Sequence, residues 1–166
     1  MAQAFPQAVF HGYDTSQHAL AEARQRTVNT GLSNLFWHNP VEEPLPDDGR
    51  FDFITTFDVV HDTPDPRGLI AAVYKALKPE GTWFLVDAAG KSSFEENLNH
   101  PPARVQYAFS VLICTPSGLS EPGGAGLGTL GFHEEIARQM TREAGFTHFR
   151  RLAISDEFDN RYEVRP

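Results

Sequence analysis

The chain has 166 residues, 40% of them hydrophobic and 22% charged, with a formal net charge of −8. That is enough chain to bury a core within one domain, 1–166, and the acidic balance argues against a groove of clustered Lys and Arg, so no nucleic-acid partner is expected. A single cysteine, Cys114, excludes an internal disulfide and a cysteine-based zinc site. No apolar run approaches the ~20 residues of a membrane span, so no membrane partner and a cytoplasmic setting are expected.

Ala8-Val-Phe-His-Gly-Tyr13 reads as a strand that runs into Asp14. Ser16 stands as the N-cap of a helix over 17–30, rich in Ala, Leu and Glu and stopped by Gly31. Leu35-Phe36-Trp37 is a short strand, and residues 39–49, full of prolines and acids, form a surface loop. Phe51 to Phe57 is an aromatic and β-branched run of strand length. Asp65 is placed to cap a second helix, Pro66 fits its first turn, and Leu69, Ile70, Val73 and Leu77 recur at helical spacing. Lys78-Pro-Glu-Gly81 ends that helix. Gly81 to Val86 is a nearly continuous apolar strand, as expected of one covered on both faces. Strand, helix and strand form a right-handed crossover of a parallel sheet. Ligands of such sheets sit beyond the carboxyl ends of the strands, which places Phe57 to Asp62 and Asp87-Ala88 at the crevice.

Past Ala88 the pattern predicts a polar loop over 91–102 and a helix over 103–114. A Gly/Ser/Pro loop over 115–131 follows, of the length used for lids or binding segments. A helix over 133–144 is ended by Gly145. Two alternating strands, 146–154 and 160–164, form a closing antiparallel pair joined by a short acidic turn.

The stretch FDFITTFDVVHDTPDPRGLIAAVYKALKPEG resembles the fourth strand, following helix and fifth strand of a class I S-adenosylmethionine-dependent methyltransferase of the bacterial small-molecule type. The similarity continues into GAGLGTLG, REAGFTHFRRL and the terminal FDNRYEVRP. The resemblance implies an α/β, Rossmann-like sheet, mostly parallel with an antiparallel carboxy-terminal strand pair. It also implies that the first strand and its glycine-rich loop are missing, so that the chain begins inside the helix after that loop. As such a fragment it is expected to be inactive and marginally soluble or oligomeric. S-adenosyl-L-methionine is the implied cofactor, and the implied reaction is methyl transfer to a small-molecule O, N or C acceptor. An upstream domain or a second copy would be its protein partner.

The same resemblance assigns roles. Asp14, with Thr15 beside it, stands where a carboxylate accepts the ribose hydroxyls; as residues alone they also read as a helix N-terminal charge. Asn39 and Pro40 occupy the adenine position, where the family has an acid. Phe57 and Asp58 fall near the sulfonium. His61 with Asp62 suggests a general base, since imidazole titrates near neutrality; the alternative is a His-Asp turn that caps the loop without proton transfer. Tyr107, Cys114, Gly126 and Gly128 fall on the substrate side, and Cys114 lacks a paired-histidine signal as a nucleophile. The literal Gly124-Ala-Gly126-Leu-Gly128 follows no strand and is therefore not a cofactor turn. No metal site is expected. Two other functions stay open: a non-catalytic methyltransferase-like binding or regulatory module, and an NAD(P)-dependent reductase, because Asp14 suits either ribose.

Overall fold

The computed structural model describes residues 1–154 and 156–166. Two compact units make up the chain, Met1–Leu45 and Pro46–Pro166.

In the first unit, β1 (Phe10–Tyr13) pairs in parallel with β2 (Leu35–His38), and α1 (Gln17–Val28) connects them. The Ser16 hydroxyl accepts the Ala19 N–H at 3.2 Å, the cap foreseen for this helix. Gly12 is needed within β1: a Cβ there would lie 2.3 Å from the Trp37 ring, which crosses the strand at that point. Trp37 Nε1 donates to Thr27 Oγ1 at 2.9 Å and ties β2 to α1. Leu20 is fully buried beneath the helix.

In the second unit, β3 (Phe51–Phe57), α2 (Pro66–Ala76) and β4 (Leu77–Ala88) form the crossover that the apolar pattern indicates. Asp65 Oδ1 accepts the Gly68 N–H at 2.8 Å, and Pro66 occupies the first turn of α2. There follow α3 (Phe94–Leu98), α4 (Ala103–Phe109), a π turn (Ser110–Cys114), α5 (Thr115–Gly118), α6 (Gly128–Gly131) and α7 (Glu134–Ala144). Last come β5 (His148–Arg151) and β6 (Asp159–Arg165). The sheet order is β3-β4-β6-β5, with β3 parallel to β4 and β6 antiparallel to both neighbours.

The central place of β4 explains its apolar run. Trp83, Leu85 and Asp87 stand opposite Val164, Tyr162 and Asn160, and all six are buried. Phe146, just past α7, packs its ring 5.6 Å from that of Trp83. Ile70 and Val73 of α2 and Ala137 and Met140 of α7 complete the same core.

Four expectations change. The four parallel strands do not share one sheet: β1 and β2 form a pair, and β3 and β4 belong to the four-stranded sheet. The Lys78–Gly81 turn lies inside β4, because Leu77 pairs with Phe51 while Thr82 pairs with Phe53, so four residues are looped out of the ladder. The helix expected to stop at Cys114 winds on to Gly118 through the π turn. The two polar loops hold short helices, α3 capped by the Ser93 hydroxyl on Glu96 N–H, and α6. The acidic turn between β5 and β6 lies partly outside the described residues. Among those described, no helix is long and apolar enough to cross a membrane.

Candidate active site

The chemistry in the second unit gathers at the carboxyl ends of β3 and β4. Asp58 follows β3 with φ of 52°, a left-handed conformation uncommon outside glycine, while its N–H still donates to the Val86 carbonyl at 3.1 Å. The chain then turns inward, and Val60 and His61 are buried. Asp87, the penultimate residue of β4, is 1% exposed although it carries a carboxylate.

His61 Nδ1–H donates to Asp87 Oδ1 at 2.6 Å, and the Ala88 N–H donates to the same oxygen at 2.9 Å. Since a carboxylate only accepts, this bond leaves Nε2 as the working nitrogen of the neutral ring. Nε2 lies 3.3 Å from Sγ of Cys114, the last residue of the π turn and itself buried. The partner of His61 is therefore Asp87 rather than the adjacent Asp62, and the single cysteine does face a histidine. Asp62 is half-buried, with a carboxylate oxygen within 4.8 Å of donor atoms of both His61 and Cys114. The second oxygen of Asp87 is buried and has no partner among the described residues.

Carboxylates crowd this end of the sheet. Asp58 is exposed, but the loss of water around its carboxyl, followed by the charges of Asp159 and Asp87, pushes it up to about 6. Burial raises Asp62, and burial followed by Asp156 raises Asp159. His61 is the positive group that works against these shifts at Asp58 and Asp62. For His61 itself, burial disfavours the charged ring, but the hydrogen bond and charge of Asp87, joined by Cys114, push it up to about 9. The buried carboxylate thus favours positive charge on the ring and stabilises it once a proton arrives at Nε2.

The remaining substrate-side candidates lie in the same unit. Gly126 and Gly128 both take positive φ, and Gly126 N–H donates to the Gly118 carbonyl at 3.2 Å. A Cβ on Gly128 would lie 2.3 Å from the hydroxyls of Ser110 and Thr115, which bond each other at 3.1 Å. The GAGLG segment is therefore laid against the π turn that carries Cys114 and against α5 beyond it, and is no strand-to-helix turn. Tyr107 meets Phe94 edge-on at 6.1 Å.

The cofactor-side candidates Asp14, Thr15, Asn39 and Pro40 lie in the first unit. Asp14 is exposed at the end of β1, and its Oδ1 accepts the Ser16 N–H at 2.7 Å, which leaves Oδ2 for a diol. Asn39 is buried; its Oδ1 accepts the Val41 N–H at 2.9 Å, so its amide is engaged in its own turn. Phe57 is exposed at the end of β3. An exposed carboxylate at the end of a parallel strand fits a ribose-bearing cofactor. Among the described residues no strand leads into a glycine-rich turn.

Asp87 and Cys114 as partners of His61 are the contacts that pattern alone does not reveal. One signal does exist for Asp87: it is the only acid in an otherwise apolar run from Trp83 to Ala89.

The methyltransferase-domain family matches residues 1–83, half of the chain. The chain belongs to that family, and its fold is the Rossmann-like α/β fold of class I methyltransferases. It is 26% identical over 161 residues to the ubiquinone/menaquinone biosynthesis C-methyltransferase of Desulfotalea psychrophila, covering 93% of this chain and 63% of that protein. It is 31% identical over 87 residues to the ubiquinone biosynthesis O-methyltransferase of Pasteurella multocida, covering 46% of this chain and 36% of that one. Among solved structures, the citrinin polyketide synthase CMeT domain superposes with a TM-score of 0.69 at 16% identity, over 95% of this chain and 38% of that one. The trans-methyltransferase CalH in complex with SAH gives 0.62 at 17% identity, over 94% and 41%. The chain spans less than two thirds of the length of these curated relatives.

Proposed function

We propose that the protein transfers a methyl group from S-adenosyl-L-methionine to an oxygen, nitrogen or carbon of a small molecule, with His61 holding the proton that the acceptor gives up. The buried His61–Asp87 pair at 2.6 Å, at the strand ends where this fold binds ligands, carries the reading. When bound, the cofactor supplies an electrophilic methyl carbon on a sulfonium. Asp87 fixes the ring orientation and stabilises the positive charge that the ring takes up with the proton. A neutral acceptor gives its proton to Nε2 of the imidazole as its new bond to the methyl carbon forms, and the imidazolium so made is held by Asp87. Asp14 holds the ribose through Oδ2, and the burial of His61 keeps water from competing for the methyl. A small-molecule partner and a cytoplasmic setting go with this reading.

The reading is tested with the full-length protein, labelled cofactor and a panel of phenols, amines and carbon acids. His61→Gln should lower turnover by ~10²–10⁴-fold with cofactor affinity retained; unchanged turnover removes His61 from the chemistry. Residues 1–166 alone are expected to bind the cofactor weakly, because none of their described strands opens into the glycine turn that would cradle its methionine end. Micromolar binding by this stretch alone would count against that. Binding of NADH in preference to S-adenosyl-L-methionine would favour a reductase, and binding without turnover by the full-length protein a non-catalytic module.

A further inference from the structure

His61, Asp62 and Cys114 present one nitrogen, one oxygen and one sulfur donor, all within 4.8 Å of one another. His61 and Cys114 are buried, and Asp62 is half-buried. The Sγ to Nε2 separation is 3.3 Å. Two ligands of a tetrahedral zinc ion, at about 2.3 Å for sulfur and about 2.0 Å for nitrogen, lie about 3.5 Å apart. The pair therefore has to open by only a few tenths of an ångström to admit the metal. Histidines that bind zinc commonly donate their other N–H to a carboxylate, which fixes the ring for ligation. Asp87 does this at 2.6 Å, and its unpartnered second oxygen adds negative charge in a buried place.

We propose that, against the expectation of no metal site and of no zinc at a lone cysteine, His61, Asp62 and Cys114 form a mixed-donor zinc site, with Asp87 orienting the histidine and a fourth position left for water, and that zinc there blocks methyl transfer. A thiolate, an imidazole and a carboxylate suit this borderline-soft cation and disfavour magnesium and calcium, which prefer all-oxygen sets. The binding rests on the donor cluster alone. The inhibition rests in addition on His61 as the proton-accepting residue, since the metal takes the Nε2 lone pair that the acceptor would use.

The test uses the full-length protein, first stripped with a chelator and then titrated with Zn2+ against a chromophoric competitor, and with Co2+ followed by its visible spectrum. The expected result is one tight equivalent of zinc and a sulfur-to-cobalt charge-transfer band. Cys114→Ser should abolish the band and weaken zinc binding by ~10- to 100-fold, and Asp62→Asn should weaken binding while keeping the band. Circular dichroism melts of both variants show that they are folded. Zinc uptake by the wild type no greater than by Cys114→Ser, or a cobalt complex without the sulfur band, would overturn the site. In turnover assays zinc should inhibit the wild type, and a chelator should restore the rate. Cys114→Ser should need ~10-fold more zinc for the same fractional loss of its own rate. Binding with the sulfur band but without inhibition would overturn the blocking role while the metal site stands. Loss of His61 as the proton acceptor would show separately, in the His61→Gln turnover.

Discussion

His61 Nδ1 and Asp87 Oδ1 meet at 2.6 Å across 26 positions of sequence, and the Ala88 N–H shares the same oxygen. The contact joins the loop after β3 to the end of β4, so the parallel pairing of these strands is what assembles the site. Opposite charges in a dry setting hold each other there, and removing one partner leaves the other uncompensated.

Asp87→Asn keeps an acceptor for the Nδ1–H and removes the charge. The ring should titrate at lower pH, and turnover should fall by ~10–100-fold, less than the ~10²–10⁴ expected for loss of the acid–base group itself. Cofactor titration should be unchanged. Asp87→Leu should in addition lower stability by ~3–5 kcal/mol, read from denaturant unfolding.

Asp58 gives a pH signature. Its carboxyl is raised from 3.8 to about 6, so the folded chain holds this proton more firmly than the unfolded one. The stability that this proton contributes is complete below 3.8 and is lost as pH rises through about 6. Asp58→Asn should therefore melt at a higher temperature than the wild type at pH 7 to 8, with the advantage gone near pH ~4. A constant difference across that range would mean that neither the desolvation of this carboxyl nor the charges of Asp159 and Asp87 are felt.

Two glycines separate backbone strain from steric conflict. Gly31 and Gly128 have almost the same φ, 67° and 66°, but Gly31 has open space around its missing Cβ and Gly128 faces two hydroxyls at 2.3 Å. Gly31→Ala should cost ~1 kcal/mol, the penalty of a left-handed residue. Gly128→Ala should cost ~1–3 kcal/mol more, as the Ser110–Thr115 pair is pushed apart. Urea titrations of the two variants measure the difference.

If Asp14 holds the ribose, losing its charged hydrogen bonds removes ~2–3 kcal/mol. Asp14→Ala should then weaken S-adenosyl-L-methionine by ~30- to 150-fold in the full-length protein. The same change deletes the Ser16 N–H bond, so the helix start loosens as well. Asp14→Asn keeps an acceptor for that N–H and separates the two effects. Calorimetry with unchanged affinity would remove Asp14 from the site.

Local rules carried much of the fold. Asp65-Pro66 announces α2, Ser16 announces α1, and Gly145 ends α7 at φ of 109°, each through a bond or torsion fixed by near neighbours. The apolar run of β4 announces a central strand because burial on both faces leaves no place for alternation. What stays hidden is set by distant contacts. Nothing near Cys114 tells that it lies against His61, 53 positions away. The adjacency of Asp62 suggests a pairing that the fold gives to Asp87 instead. The short helices α3 and α6 leave no mark in the pattern, because each is too brief to show a period.

The π turn that carries Cys114 makes this stretch sensitive to chain length in a way that side-chain chemistry is not. One residue more or less in a helix turns everything beyond it by about 100°. Upstream of the turn, Gln106 Nε2 donates to the Phe158 carbonyl at 3.0 Å; at its end, Cys114 reaches His61. Deleting Leu112, whose side chain is 75% exposed, would remove almost no packing. It would still let the helix rewind to its ordinary pitch, and only one of the two anchors would then remain in register. Swaps among Val111, Leu112 and Ile113 should accordingly be tolerated, while a single codon lost there should uncouple the thiol from the histidine.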